Sequence, residues 1–480
     1  MPCKLAALFA ACLLIAAPLK ALAAGFDHVS SLAETGFLIS AKAQLLDTGE
    51  VLGAITPQRQ LSPASVSKLY VAAAALDRWG PQHRFSTRLV TTGNIDAQGV
   101  LHGDLVFEGG GDAALVSEDL WRLIQRLRLH GVTRIDGQLV ISQWRYGPVE
   151  CITTDRCKSR TRTRNAYSAL LSSAGINYGS WCLNVLPGAR AGAAARIRSC
   201  DTVTPTLRVD NRVTTVSGGG GTSLSAQRVT DAQGDRMIVS GRIALGTYPR
   251  AIYRASSDPA RQTAQTLLAL LEDAGIHVTR GAATSDTRPP ASARQLAAVD
   301  GKPLQELLLR TLNYSNNFMA DILALDLVET PRATLPQAGA ELERFARGIP
   351  GHGPLTLLSG SGLTPENRTS AQGVNALLEA MYHRPALFPT FVAGMQLPVN
   401  GPMTFTQRGS ELFQTHVMLK TGTLNQPVSV RALGGYFRTE SGRWGSFSVL
   451  VNGTRSTPYL SWSQVLPLIA EDLTAMIASH

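Results

Sequence analysis

Lysine is nearly missing from this chain: seven stand against 38 arginines in 480 residues. Histidine is sparse too. The nine histidines are scattered and form no HxxxH pair, which argues against a metallohydrolase and implies no metal or cofactor. Aromatic residues make up only 6% and are unclustered, so no carbohydrate-stacking platform is visible. No Lys/Arg run marks a nucleic-acid surface. The Gly218 to Gly221 run has no following Lys-Ser/Thr, so it is a loop and not a phosphate cradle. Beyond residue 24, no segment stays apolar for the roughly 20 residues that a membrane span needs.

What is present suits an exported globular protein of two or three domains, with 44% hydrophobic and 17% charged residues. Residues 1–24 read as a cleaved secretory leader. Lys4 is its charged start, Leu5 to Pro18 its apolar stretch, and Ala21-Leu22-Ala23 its small-residue exit. The net charge of +10 becomes +8 once Lys4 and Lys20 leave with it. Four of the six cysteines remain: Cys151, Cys157, Cys182 and Cys200. An even number in an oxidising compartment implies disulfides, and the close spacings favour Cys151–Cys157 and Cys182–Cys200 among three possible pairings.

Patterning along the chain is mixed α and β. Gly36 to Leu46 and Val51 to Ile55 alternate as strands, and a helix opens after Pro63 and stops at Gly80-Pro81. Residues 150–250 are rich in Gly, Ser, Thr and Arg with short β-branched runs, the pattern of a small β-rich unit. The basic stretch from Arg156 to Arg164 within it reads as an exposed loop. Helical spacing returns over Pro259 to Ala274 and Pro303 to Thr330. The chain closes with strands at Val417–Thr421, Ala432–Thr439 and Trp444–Asn452, then a helix over Leu466–Ile477.

Two of the rare lysines fall in telling places. Lys68 ends Ser65-Val66-Ser67-Lys68, and Lys420 begins Lys420-Thr421-Gly422-Thr423, with Ser315-Asn316-Asn317 between them. A guanidinium cannot be deprotonated in a protein, so an arginine-rich chain that needs a proton acceptor must keep an amine for it. Ser65 at a helix start is a candidate nucleophile, and Lys68, one turn on, its general base. Burial beside a second cation lowers a lysine pKa, and Lys420 is the expected cation. Ser315 is a candidate proton relay. Asn317 would position Lys68 and the substrate. Lys420 would anchor a substrate carboxylate with Thr421 and Thr423, and Gly422 would let the substrate backbone approach. The backbone N–H groups of Ser65 and Thr423 are the expected oxyanion donors. An SxxK or SxN alone arises about once by chance in a chain this long. Order and context give the trio its weight.

These residues resemble the penicillin-binding proteins and serine β-lactamases. With Gly109-Gly110-Gly111-Asp112, Ser168-Ala169-Leu170, Asn313 to Asp321 and Ser359-Gly360-Ser361-Gly362-Leu363, the chain is similar to the class C low-molecular-mass penicillin-binding proteins over nearly its whole mature length. The resemblance implies an α/β (α+β) fold: a transpeptidase-like domain with an antiparallel sheet flanked by helices, and two nested, β-rich inserted domains. On that pattern residues 25–82 and 286–480 form the catalytic domain, 83–190 and 246–285 the first insertion, and 191–245 the second. It also implies a periplasmic D-alanyl-D-alanine carboxypeptidase and endopeptidase acting on peptidoglycan stem peptides and acylated by β-lactams. Ser359 stands where the family usually has Asp, and residues 142–166 depart most from the pattern. A β-lactamase and a non-catalytic cell-wall binding protein are the rival expectations.

Overall fold

The computed structural model describes residues 25–203 and 206–480. The expected leader lies outside the described residues.

Both ends of the chain build one five-stranded antiparallel sheet. Its strands run in the order Val417–Leu424, Val430–Arg438, Trp444–Asn452, Leu38–Leu45 and Val51–Ile55. Side chains on a strand alternate between faces. Leu433 and Phe437 therefore enter one core, with the closing helix Trp462–Ala478 and the opening helix Asp27–Glu34. Ala432 and Tyr436 enter the other core, formed by the helices Lys68–Trp79, Leu304–Asn313, Asn317–Asp326, Leu335–Arg347 and Ala371–Tyr382. A sheet buried on both faces between helical layers results, the mixed α and β architecture that the sequence implied. Val417–Leu424 is an edge strand; Gln396 bridges its outer side at Leu419, and beyond that point the edge can accept another chain.

Residues between Phe85 and Asp300 form two further cores. One joins a five-stranded sheet, ordered Ala282–Ser285, Leu139–Ser142, Leu105–Glu108, Ser86–Thr91 and Arg294–Asp300, to the helices Ser117–Arg128 and Pro259–Asp273. The strand Arg294–Asp300 falls in the segment expected to be catalytic, yet it pairs antiparallel with Ser86–Thr91. The other core lies between a three-stranded sheet (Arg196–Ser199, Ser180–Leu186, Arg250–Ala255) and a four-stranded one (Arg208–Val216, Gly234–Ala244, Ser223–Asp231, Arg162–Thr163). Both expected disulfides are present, Cys151–Cys157 and Cys182–Cys200. Among the described residues, no helix is long and apolar enough to cross a membrane.

One expected helix is broken. The periodicity of Pro303 to Thr330 predicts a continuous helix, but the structure has two, Leu304–Asn313 and Asn317–Asp326. Ser315 between them is left-handed, with φ of 53°, and the side chain of Asn316 caps the second helix by accepting from Met319 N–H. Asn at an N-cap satisfies an amide that has no partner within the helix.

Candidate active site

The turn that carries the first motif is tight. Ala64–Ser67 is a single 3-10 turn, with Ala64 at φ of 45°, leading directly into the helix Lys68–Trp79. Ser65 is thus half-exposed at the helix start while Lys68 points inward and is fully buried. Lys68 Nζ lies 2.8 Å from Ser65 Oγ, 2.8 Å from Asn317 Oδ1 and 2.6 Å from the Ser361 carbonyl oxygen. Three oxygens surround one nitrogen. A neutral amine fits this arrangement by donating to the amide and carbonyl oxygens and accepting the proton of the Ser65 hydroxyl.

Lys68 is pushed down from the ordinary lysine range to about 7, chiefly by burial. The Asp321 carboxylate opposes the shift and the Arg156 guanidinium adds to it. Arg156 therefore acts as a cation on Lys68 in addition to Lys420, the group to which the sequence assigned that part. Arg156 is also not on an exposed loop as expected. Its side chain is buried and donates through Nη1 to Asp321 Oδ2 at 2.8 Å. Asp321 Oδ1 accepts the Ser361 N–H at 2.8 Å.

The second and third motifs meet opposite this cluster. Lys420 Nζ donates to Ser315 Oγ at 2.8 Å and to the Thr421 carbonyl at 2.7 Å. Lys420 is fully buried, and burial, with the charge of Lys68, holds its pKa well below the usual range. The two lysines are thus electrostatic neighbours. The strand and the nucleophile turn also touch: a Cβ on Gly422 would lie 2.5 Å from the Pro63 carbonyl and 3.0 Å from Ser65 N. Only glycine lets the edge strand come this close. Thr423, next along, is exposed, and its hydroxyl accepts from Trp462 Nε1 at 2.9 Å. Ser65, Lys68, Ser315, Asn317, Lys420, Thr421, Gly422 and Thr423 therefore gather in one place. None of the four cysteines is among these side chains: Cys157 adjoins Arg156, and Cys182 lies on the three-stranded sheet, bonded to Cys200.

Three functional contacts escaped the sequence reading: the Ser361 carbonyl, Asp321 and Arg156. The Ser359-Gly360-Ser361-Gly362 loop packs on the nucleophile turn so tightly that a Cβ on Gly362, at φ of 73°, would lie 1.8 Å from the Ala64 carbonyl. Ser359, in place of the family's Asp, is buried and bonded to Thr364 Oγ1 at 3.1 Å. Asp321 lies four residues after Asn317, on the same helix face, and that spacing was the available signal.

The sequence profile of the D-Ala-D-Ala carboxypeptidase 3 (S13) family matches residues 27–463. The chain belongs to this family. It is a class C low-molecular-mass penicillin-binding protein, as the motifs implied. It is similar to a D-alanyl-D-alanine carboxypeptidase of Actinomadura sp. (strain R39), at 28% identity over 430 residues, covering 85% of this chain and 76% of that one. In fold it is similar to penicillin binding protein 4 from Haemophilus influenzae, with a TM-score of 0.73, 20% identity, and coverage of 93% of this chain and 99% of that one. It also shares the fold of a predatory peptidoglycan endopeptidase from Bdellovibrio bacteriovorus, with a TM-score of 0.52, 16% identity and 92% of each chain covered.

Proposed function

We propose that this S13 family member is a serine D-alanyl-D-alanine carboxypeptidase and endopeptidase of peptidoglycan, working through an acyl-enzyme on Ser65. The observation that carries this reading is the 2.8 Å approach of a lysine with a pKa of about 7 to a half-exposed serine hydroxyl. An amine with a pKa near neutral is matched to proton abstraction at working pH.

Ser65 Oγ attacks the carbonyl of the penultimate D-Ala, and its proton passes to Lys68 Nζ. The tetrahedral oxyanion forms beside the N–H groups of Ser65 and Thr423, where hydrogen-bond donors stabilise developing charge. As the C–N bond breaks, the leaving amine takes the proton that Lys68 had accepted, passed on through Ser315, whose hydroxyl is bonded to Lys420, and Lys68 is left neutral. Water then attacks the ester, gives a proton to Lys68, and the Ser65 alkoxide recovers one. The substrate's terminal carboxylate docks at Lys420, Thr421 and Thr423. Its negative charge returns Lys420 to the ammonium form by favouring the protonated state. Asn317 holds Lys68 and is held in turn, donating through Nδ2 to the Tyr167 carbonyl at 3.2 Å. β-Lactams enter the same cycle as acylating inhibitors.

The disulfides and the expected leader support an extracytoplasmic, periplasmic location. We also propose the division into a catalytic unit from both ends of the chain and two nested inserted units. Strand pairing supports assigning Arg294–Asp300 to the first insertion and Ser180–Ser199 with Arg250–Ala255 to the second. Digestion of purified cross-linked muropeptides tests the activity: released D-Ala and separated monomers are expected, and intact dimers and pentapeptides would exclude it. A penicillin adduct that persists for minutes marks the peptidase, whereas one lost within seconds marks a β-lactamase.

A further inference from the structure

Two points of the inserted segment press on the helix Asn317–Asp326, each one bond away from a partner of Lys68. The Tyr167 carbonyl accepts from Asn317, and Arg156 pairs with Asp321. Arg156 sits within the loop closed by the Cys151–Cys157 disulfide. A helical turn stiffens the loop, with Cys157 N–H donating to the Thr153 carbonyl at 2.9 Å, and just beyond it the Ser159 carbonyl accepts from the buried Arg228.

The Arg156–Asp321 pair is an unusual thing to bury. Only Nη1 of the guanidinium reaches a carboxylate; Nε and Nη2 meet no hydrogen-bond partner among the described residues. A buried ion pair this poorly satisfied is weak support for the fold, because desolvation offsets the attraction. Its place in the site gives it another use. Asp321 bonds the Ser361 amide, and the Ser361 carbonyl bonds Lys68. A buried carboxylate here, left uncompensated, would favour the ammonium form of Lys68, which cannot accept a proton from Ser65.

We propose that Arg156 is a positioning residue for the general base: through its ion pair with Asp321 it neutralises the carboxylate behind the Ser361 loop and keeps Lys68 available as a free amine. The proposal rests on the acyl-enzyme reading above. The charged groups facing Lys68 are Asp321 from its helix, Arg156 from the disulfide loop and Lys420 from the edge strand. The Ser359–Gly362 loop offers it only the Ser361 carbonyl, and Tyr70 turns away to Thr369 and His352.

The test is the second-order rate of penicillin acylation as a function of pH, with circular dichroism to confirm folding. In R156Q the midpoint of the acid limb moves up by about one pH unit, and the rate below it falls about tenfold. R156K, which keeps the charge, stays near wild type. D321N, which removes the carboxylate but leaves an oxygen for the Ser361 amide, moves the midpoint down, and R156Q/D321N returns it towards wild type. Opposite shifts in the two single variants are not produced by loosened packing. An unmoved midpoint in folded R156Q, or equal loss in R156Q and R156K without a shift, overturns the proposal. If R156Q does not fold, a D321N midpoint equal to or above wild type overturns it. Wild-type protein that penicillin never labels would instead count against the acyl-enzyme reading.

Discussion

Lys68 Nζ and Ser65 Oγ lie 2.8 Å apart across one turn of the chain, the amine buried and the hydroxyl half-exposed. The difference in exposure separates their roles. Burial strips water from the amine and holds its pKa near 7, while the hydroxyl remains within reach of a substrate. Lys68 works as a base only when neutral, so acylation should rise with pH through about 7 and level off above it. Lys68→Arg keeps a cation but supplies no base, and should lose a factor on the order of 10²–10⁴ in acylation rate. Stopped-flow measurement with a chromogenic β-lactam checks both.

Lys420 is aimed differently. It bonds Ser315 rather than Ser65, and it sits on the open edge strand. Wild-type enzyme should therefore cleave peptides ending in a free carboxylate faster than the same peptides ending in an amide. Lys420→Ala should abolish that preference. A charge-assisted hydrogen bond is worth about 1.5–3 kcal/mol, so the preference should be roughly 10- to 100-fold. Paired hydrolysis rates on the two peptides measure it; a preference retained by Lys420→Ala would place the carboxylate elsewhere.

Ser315 holds a left-handed backbone at φ of 53°, a conformation that costs a residue other than glycine about 1–2 kcal/mol. Ser315→Gly relieves this strain and deletes the hydroxyl bonded to Lys420. Its unfolding temperature should stay within a few degrees of wild type while turnover of peptides falls. A large loss of stability with full activity would reverse the assignment.

Asp326 offers a stability test away from the chemistry. It accepts from Tyr146 Oη at 3.0 Å and pairs with Arg145 at 3.2 Å, yet burial pushes its pKa up to about 8, with Arg145 opposing and Asp112 adding to the rise. A carboxyl group with a raised folded-state pKa contributes stability that is present below the unfolded value and lost as pH rises through the folded one. Wild-type stability should therefore decline between the ordinary carboxylate range and about pH 8. Asp326→Asn should flatten that decline, as thermal melts across the window would record.

Removing the Cys182–Cys200 bridge should separate folding from chemistry. The bridge closes a separation of 18 residues beside the core between the three- and four-stranded sheets. Such loops are worth about 3 kcal/mol. C182S/C200S should melt earlier, with little change in the rate at which penicillin acylates Ser65.

The parts of the site legible in the sequence are those whose geometry is local. Ser65 and Lys68 share one turn, and Lys420 to Thr423 share one strand, so each motif carries its own spatial arrangement. Arg156, Asp321 and the Ser361 carbonyl were hidden because their meeting depends on three distant segments packing together. Arg156 was further masked by its neighbours: Arg160, Arg162 and Arg164 are exposed, as a solvated basic loop requires, and only Arg156 turns inward. The fold was legible where alternation or helical spacing was strong. The break at Ser315 was missed because apolar spacing runs on through both helices, and the capping Asn316 was the quieter signal. The strand Arg294–Asp300 follows a proline linker and carries little alternation, so only its pairing with Ser86–Thr91 reveals it.

The central claim is that Ser65 becomes covalently acylated. Peptide-mapping mass spectrometry after incubation with penicillin G tests it most directly. One penicillin per chain, carried on the peptide containing Ser65 and absent from Ser65→Ala, is the predicted result. An unmodified wild-type protein, or an adduct that survives Ser65→Ala, would contradict it.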